Sequence, residues 1–189
     1  METSLIIPAL RRQSDLPLLK GSPADTVFLM FGELFELEKT VRSIRDLGKK
    51  VFLHTDLIKG LSQEKEAIKF IAEAIVPTGI VSTKTHIIKQ AKNCGLLTVH
   101  HLFLIDTNAF ESGAAHVKVS QPDAVEIMPG LMPQVIKEFR GRVDLPLLVG
   151  GLVKTMRDVQ DLWEAGAHSI ITGATSLWDL KVDRLRRVG

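Results

Sequence analysis

The sequence predicts an α/β protein, a compact (β/α)8 TIM-like barrel, on three observations. Eight short runs rich in Val, Ile and Leu recur along its 189 residues. The runs are mostly continuous rather than alternating in polarity, as strands of a parallel sheet covered on both faces should be. Helical patterns fill most of the intervals between them. A doubly wound open sheet usually needs only about five or six strands, so eight favour the closed ring. The chain is short for such a barrel, which requires tight loops and some short or missing helices.

The first strand is read at SLIIPAL (4–10). Pro17 and the Gly-Ser-Pro turn at 21–23 leave space for an abbreviated helix before the second strand, TVFLMF (26–31). In ELFELEKTVRSIRDLG, Leu34, Leu37, Val41, Ile44 and Leu47 form one apolar stripe, Glu38 and Arg42 pair at i, i+4, and Gly48 provides the stop. KVFLHTDL (50–57) is followed by SQEKEAIKFIAEA, with Ser62 as the expected cap and Ala67, Ile68, Ile71 and Ala74 facing inward. GIVST (79–83) precedes the helical THIIKQAKNCG, and LLTVHHLFLID (96–106) supplies the fifth strand. After Phe110 the segment ESGAAHVKV is ambiguous in pattern. AVEIMPG (124–130) leads to PGLMPQVIKEFRG, a helix made less regular by Pro133. LPLLVGG (145–151) leads to TMRDVQDLWEAG, capped by Thr155, with Met156, Val159, Leu162 and Trp163 on the buried side and Gly166 as stop. SIITGAT (169–175) completes the set. No linker or low-complexity tract divides the chain, so residues 1–189 are read as one domain.

Composition narrows the function classes. A hydrophobic fraction of 45% and a charged fraction of 24% are ordinary for a soluble globular protein. Cys94 is the only cysteine, which excludes an intrachain disulfide and suits a reducing cytoplasm; at a helix end it reads as an inert thiol. The start METSLIIPALRRQ lacks signal-peptide character, and no apolar run approaches the roughly 18 residues of a membrane span, so no membrane partner is expected. A net charge of +2 permits an anionic ligand or RNA and demands neither. Near the C-terminus Lys181, Arg184, Arg186 and Arg187 are candidates for RNA phosphates, although such a stretch is more often a solvated helix. With no tyrosine and 5% aromatics there is no aromatic-basic RNA signature. A homo-oligomer is compatible with the pattern.

In a barrel, functional groups belong at the C-terminal strand ends. That rule gathers His54 and Asp56, then Ser82, Thr83 and Lys84, then His101 and Asp106, Glu126, Gly150 with Gly151, and Gly173 with Ala174. Phosphate is often held by the loops after strands seven and eight, where backbone N–H groups and a helix N-terminus meet the anion. LVGGLVKT and ITGATSLW are those two ends, with Thr155, Thr175 and Ser176 as hydroxyl donors and Lys84 or Lys154 approaching from the side. A single glycine turn would merely redirect the chain; two at the expected pair of ends point to phosphate. Glu126 interrupts an otherwise apolar strand, and a buried carboxylate needs a partner, either a ligand hydroxyl or a neighbouring base. His54 and Asp56 lack the third ligand of a metal site, so no metal is expected. His86, His100, His116 and His168 read as surface or packing residues. No strand holds a convincing interior lysine for Schiff-base chemistry.

The succession VFLHTDLIKGL, GIVSTK, LFLID, VEIMPGLMP, LLVGGLVKT and SLW resembles the glycerol uptake operon antiterminator family, and the likeness runs from SLIIPA nearly to the C-terminus. The resemblance implies a barrel that is a regulator rather than an enzyme. It implies glycerol 3-phosphate as effector ligand, no cofactor, and leader mRNA as partner. It assigns the phosphate to the turns at 150–151 and 173–174, and the glycerol hydroxyls to Asp56 and Glu126. At His101 the family pattern has an arginine, and a neutral imidazole offers a weaker charge contact. The other reading of the residues is a small phosphosugar isomerase, lyase or synthase, with Glu126 or Asp56 as acid/base assisted by His54 or His101. Fold and phosphate grip are common to both readings.

Overall fold

Eight parallel strands close on themselves in sequence order in the computed structural model, which describes residues 3–180. They are β1 (Ile6–Leu10), β2 (Thr26–Leu29), β3 (Lys50–His54), β4 (Gly79–Ser82), β5 (Leu97–Phe103), β6 (Ala124–Met128), β7 (Leu147–Gly150) and β8 (Ser169–Thr172). Closure is made by β8 against β1, with Ile6 opposite Ile170 and Pro8 opposite Thr172. The helices are α1 (Leu34–Arg45), α2 (Lys65–Phe70), α3 (Thr85–Asn93), α4 (Thr107–Ser120), α5 (Pro133–Arg140) and α6 (Met156–Glu164). Between β1 and β2 the expected short helix is a 3-10 segment, Gln13–Lys20. A further 3-10 turn, Thr175–Leu177, follows β8. No helix among the described residues is long and apolar enough to cross a membrane.

Strand alternation divides the core in two. Outward-facing residues such as Val27, Leu29, Val51, Leu53, Val125, Ile127 and Val149 pack against the helices. Inward-facing Ile7, Phe28, Phe52, Val81, Val99, Ala124, Leu148 and Ile171 fill the barrel. Both faces are therefore apolar, which is why the strand runs are continuous.

Several helical details depart from expectation. Ser62 does not cap α2 directly; its Oγ accepts from the Glu64 N–H, and the helix begins at Lys65. The chain then continues as a single π turn, Ile71–Ile75. That wider turn shifts the periodicity, so Ile75 is buried and Ala74 is exposed. The ambiguous segment after Phe110 is helical in α4, because the Asp106 carboxylate caps its start by accepting from the Ala109 N–H at 2.7 Å. In α6 the buried stripe is Val159 and Leu162, while Met156 and Trp163 are exposed. Val159 and Leu162, three residues apart, define the centre of the buried face, and Met156 and Trp163 lie at its edges. Cys94 ends α3, half-buried, with Gln90 Nε2 at 3.5 Å from its sulfur. The basic residues Lys181, Arg184, Arg186 and Arg187 lie outside the described residues.

Candidate functional site

At the C-terminal ends of the strands the barrel opens into a cavity of about 570 Å³. Met128, Pro129 and Gly151–Val153 bound it on the side of β6 and β7, and Thr172, Gly173, Ala9 and Arg11 on the side of β8 and β1. Phe103, Leu57 and Met30 complete the wall.

Both glycine turns adjoin this cavity, and each is held from below. Gly151 has φ +81° and Leu152 has φ +65°, consecutive left-handed residues that reverse the chain immediately after β7. Gly151 O accepts from the Gly130 N–H at 3.0 Å, tying the β6 and β7 loops together. After β8, Thr172 Oγ1 donates to Val153 O at 2.8 Å and accepts from the Ala174 N–H at 3.0 Å. Trp178, fully buried, donates its Nε1–H to Thr172 O at 2.8 Å. The two turns are thus a single braced unit. Arg11, exposed at the end of β1, crosses this corner: its Cδ lies 3.3 Å from the position a Gly173 Cβ would take.

Thr155 serves its helix rather than the cavity. Its Oγ1 accepts from the Asp158 N–H at 3.1 Å, and the Asp158 carboxylate accepts from the N–H groups of Lys154 and Thr155 at 2.9 Å. The Lys154 N–H bond, with those from Thr155, holds the Asp158 carboxyl below its ordinary range despite the cost of desolvation. Asp56 is similarly engaged, accepting from the Thr83 N–H at 2.8 Å and from Ser82 Oγ at 3.1 Å, which links the β3 and β4 loops. Lys84, Ser176 and the half-buried Thr175 lie outside the cavity wall. Gly150 faces inward on β7, where a Cβ would meet Ile171 at 3.1 Å.

Beneath the cavity the barrel interior turns polar. Two residues on from inward-facing Phe52, Val99 and Ala124 come His54, His101 and Glu126. His54 Nε2 lies 3.1 Å from His101 Nδ1, and that same Nδ1 lies 3.0 Å from Glu126 Oε2. The second contact is at ion-pair distance but off the ring's hydrogen-bonding axis, since both Glu126 oxygens are buried without a hydrogen-bond partner. His54 Nδ1 and His101 Nε2 are buried and unpartnered as well. Burial pushes His54 below the ordinary imidazole value, outweighing the opposing pull of the Glu126 carboxylate. His100, by contrast, points outward; its Nδ1 meets Ser120 Oγ at 2.7 Å in a packing role.

Residues 6–178 match the family of glycerol-3-phosphate responsive antiterminators. The chain belongs to that family. Among solved structures it is similar to the glycerol uptake operon antiterminator regulatory protein of Listeria monocytogenes, at 32% identity and a TM-score of 0.88 over 92% of this chain and 94% of that one. It is also similar to a glycerol uptake operon antiterminator-related protein of Thermotoga maritima, at 27% identity and a TM-score of 0.85 over 95% of this chain and 100% of that one. A third relative, the uncharacterized protein YgcP of Escherichia coli, is 31% identical over 93% of this chain and 92% of its own. The antiterminator family is regulatory, not enzymatic.

Three residues of this antiterminator-family site are absent from the candidates that the sequence supplies. Arg11 has a signal, since RRQ directly follows the first strand and the strand-end rule applies to β1 as to β7. Thr172 and Trp178 lie within ITGATSLW, but nothing in that stretch marks their roles, which are hydrogen bonds to backbone groups brought close only by the fold.

Proposed function

We propose that the chain senses glycerol 3-phosphate in the mouth cavity and, in response, acts on leader mRNA as a transcription antiterminator for glycerol uptake genes. The observation that carries the reading is one cavity with a braced pair of glycine turns and an arginine at one corner, above a buried carboxylate that lacks hydrogen-bond donors. The phosphate sits between the turns after β7 and β8, on the backbone of Gly151, Leu152 and Gly173, with the Arg11 guanidinium as counter-ion. The N–H groups of Lys154, Thr155 and Ala174 are engaged internally, which narrows the phosphate donors to that set. The glycerol hydroxyls point toward the His101 and Glu126 layer. Effector binding shifts the mouth loops between states of different effector affinity, and RNA affinity follows that population.

The test is thermal unfolding with glycerol 3-phosphate, glycerol and inorganic phosphate, followed by mobility shift of leader RNA with and without effector. Glycerol 3-phosphate raises Tm well beyond either fragment, and RNA retention depends on it. Gly151→Asp, which places a carboxylate at the anion position, abolishes the effector shift. Turnover of the ligand into a product, or an unchanged shift in Gly151→Asp, overturns the reading.

A further inference from the structure

We propose that His54, His101 and Glu126 bind one divalent transition-metal ion of the zinc class inside the barrel, one layer beneath the mouth cavity. Each residue offers one ligand atom, and these atoms lie within 4.8 Å of one another. They stand on three different strands, β3, β5 and β6, so the backbone holds them in place without loop closure. Glu126 is 0% exposed, and its two oxygens accept no hydrogen bond. A buried carboxylate in that state is costly, and a cation is the partner that removes the cost.

The distances admit a metal as well as a proton, and the unpartnered carboxylate oxygens decide between them. Imidazole nitrogen and carboxylate oxygen bind zinc-class ions at about 2.1 Å. Two such bonds at a right angle put the donors about 3.0 Å apart, and a tetrahedral angle puts them about 3.4 Å apart. The observed edges are 3.1 Å between His54 Nε2 and His101 Nδ1, and 3.0 Å between His101 Nδ1 and Glu126 Oε2. Each edge matches a pair of adjacent positions around one ion, and a two-histidine, one-carboxylate set leaves further positions for water or a small oxygen ligand. A proton on His101 Nδ1 serves the contact with His54 and leaves both carboxylate oxygens without a donor. The ligand set also selects against calcium and magnesium, which require mainly oxygen ligands.

The layer is closed from the mouth cavity by two side chains. Phe103 and Met128, two residues beyond His101 and Glu126 on the same inward faces, line the mouth cavity. Phe103 lies against His101 with ring centroids 4.4 Å apart and is itself half exposed, so an ion entering from the mouth must pass it. The metal shares His101 and Glu126 with the hydroxyl end of the effector reading, so its test is made without effector.

The test uses the full chain, freed of metal with a chelator and titrated with Zn²⁺ and Co²⁺ in the absence of any effector. The expected result is one ion per chain, a raised Tm, and a visible cobalt spectrum showing nitrogen ligation. Glu126→Gln and His101→Gln, measured separately, each weaken binding at least 100-fold. The wild-type count and spectrum stand alone should either variant fail to fold. Less than one ion per chain, or a cobalt spectrum without nitrogen ligands, overturns the site. Equal binding by folded variants overturns it too, by assigning the ion to exposed His86, His116 or His168. Absence of metal binding by the wild-type chain, with its glycerol 3-phosphate shift intact, removes the metal site alone and leaves the sensor standing.

Discussion

Arg11 is the residue whose chemistry the effector reading most needs. It is exposed, lines the cavity and spans the Gly173 turn, so its guanidinium is free to face a phosphate without supporting the fold. A charge-assisted hydrogen bond is worth about 1.5–3 kcal/mol. Arg11→Ala is therefore expected to weaken glycerol 3-phosphate binding by roughly 10- to 100-fold while leaving the ligand-free Tm unchanged. Calorimetric titration beside thermal unfolding checks both halves, and an unchanged affinity removes Arg11 from the site. Glu126 is the opposite case, because AVEIM by itself displays the anomaly of a carboxylate in an apolar strand. What AVEIM leaves open is its company. His54 and His101 lie 72 and 25 positions away in the chain, and only barrel closure brings three strands' inward faces together.

At the scale of elements, α6 separates two roles that coincide in the sequence. Thr155 follows a glycine turn and precedes a helix, so the same hydroxyl qualifies as cap or as phosphate donor. The reciprocal bonds with Asp158 assign it to the helix. Thr155→Ala should cost about 1 kcal/mol of stability and leave effector affinity unaltered; a large affinity loss with unchanged Tm reverses that assignment. The β5–α4 contact carries a pH dependence. Burial lowers His100 below its ordinary value, more than its contact with the Thr83 carbonyl raises it. The folded state then binds fewer protons than the unfolded chain below about pH 6.5, so this contribution to stability is complete above that pH and declines as pH falls through it. One proton corresponds to at most about 1.4 kcal/mol per pH unit. His100→Gln is expected to flatten the acid side of a Tm-against-pH curve, and an identical slope excludes His100 as a source. Element boundaries follow the sequence well wherever one apolar stripe dominates, as in α1. They drift where a local hydrogen bond or a π turn intervenes, as at Asp106 and Ile71–Ile75.

For the whole molecule the constraint is closure. Gly79 begins β4 at a point where a Cβ would press on the Leu97 carbonyl and on Phe52 Cε1 at 2.6 Å. No side chain fits between those neighbours without moving a strand. Gly79→Ala is expected to destabilise the barrel by about 1–3 kcal/mol through overpacking, measured by denaturant unfolding; a neutral substitution means the ring yields there. Eight continuous apolar runs and the intervening helical stripes determined by themselves that the chain forms a parallel barrel, because a strand covered on both faces has little room for polar side chains outside the site. The strand-end rule pointed to the mouth loops as candidates for chemistry, and the ordered blocks pointed to the antiterminator family. The tertiary structure alone decided which groups share a site: Arg11 against Gly173, Trp178 under the β8 turn, and His54 and His101 against Glu126. Alternation along each strand says only that a side chain faces inward. Which inward faces meet at one depth depends on the stagger of strands around a closed ring, a property of all eight together.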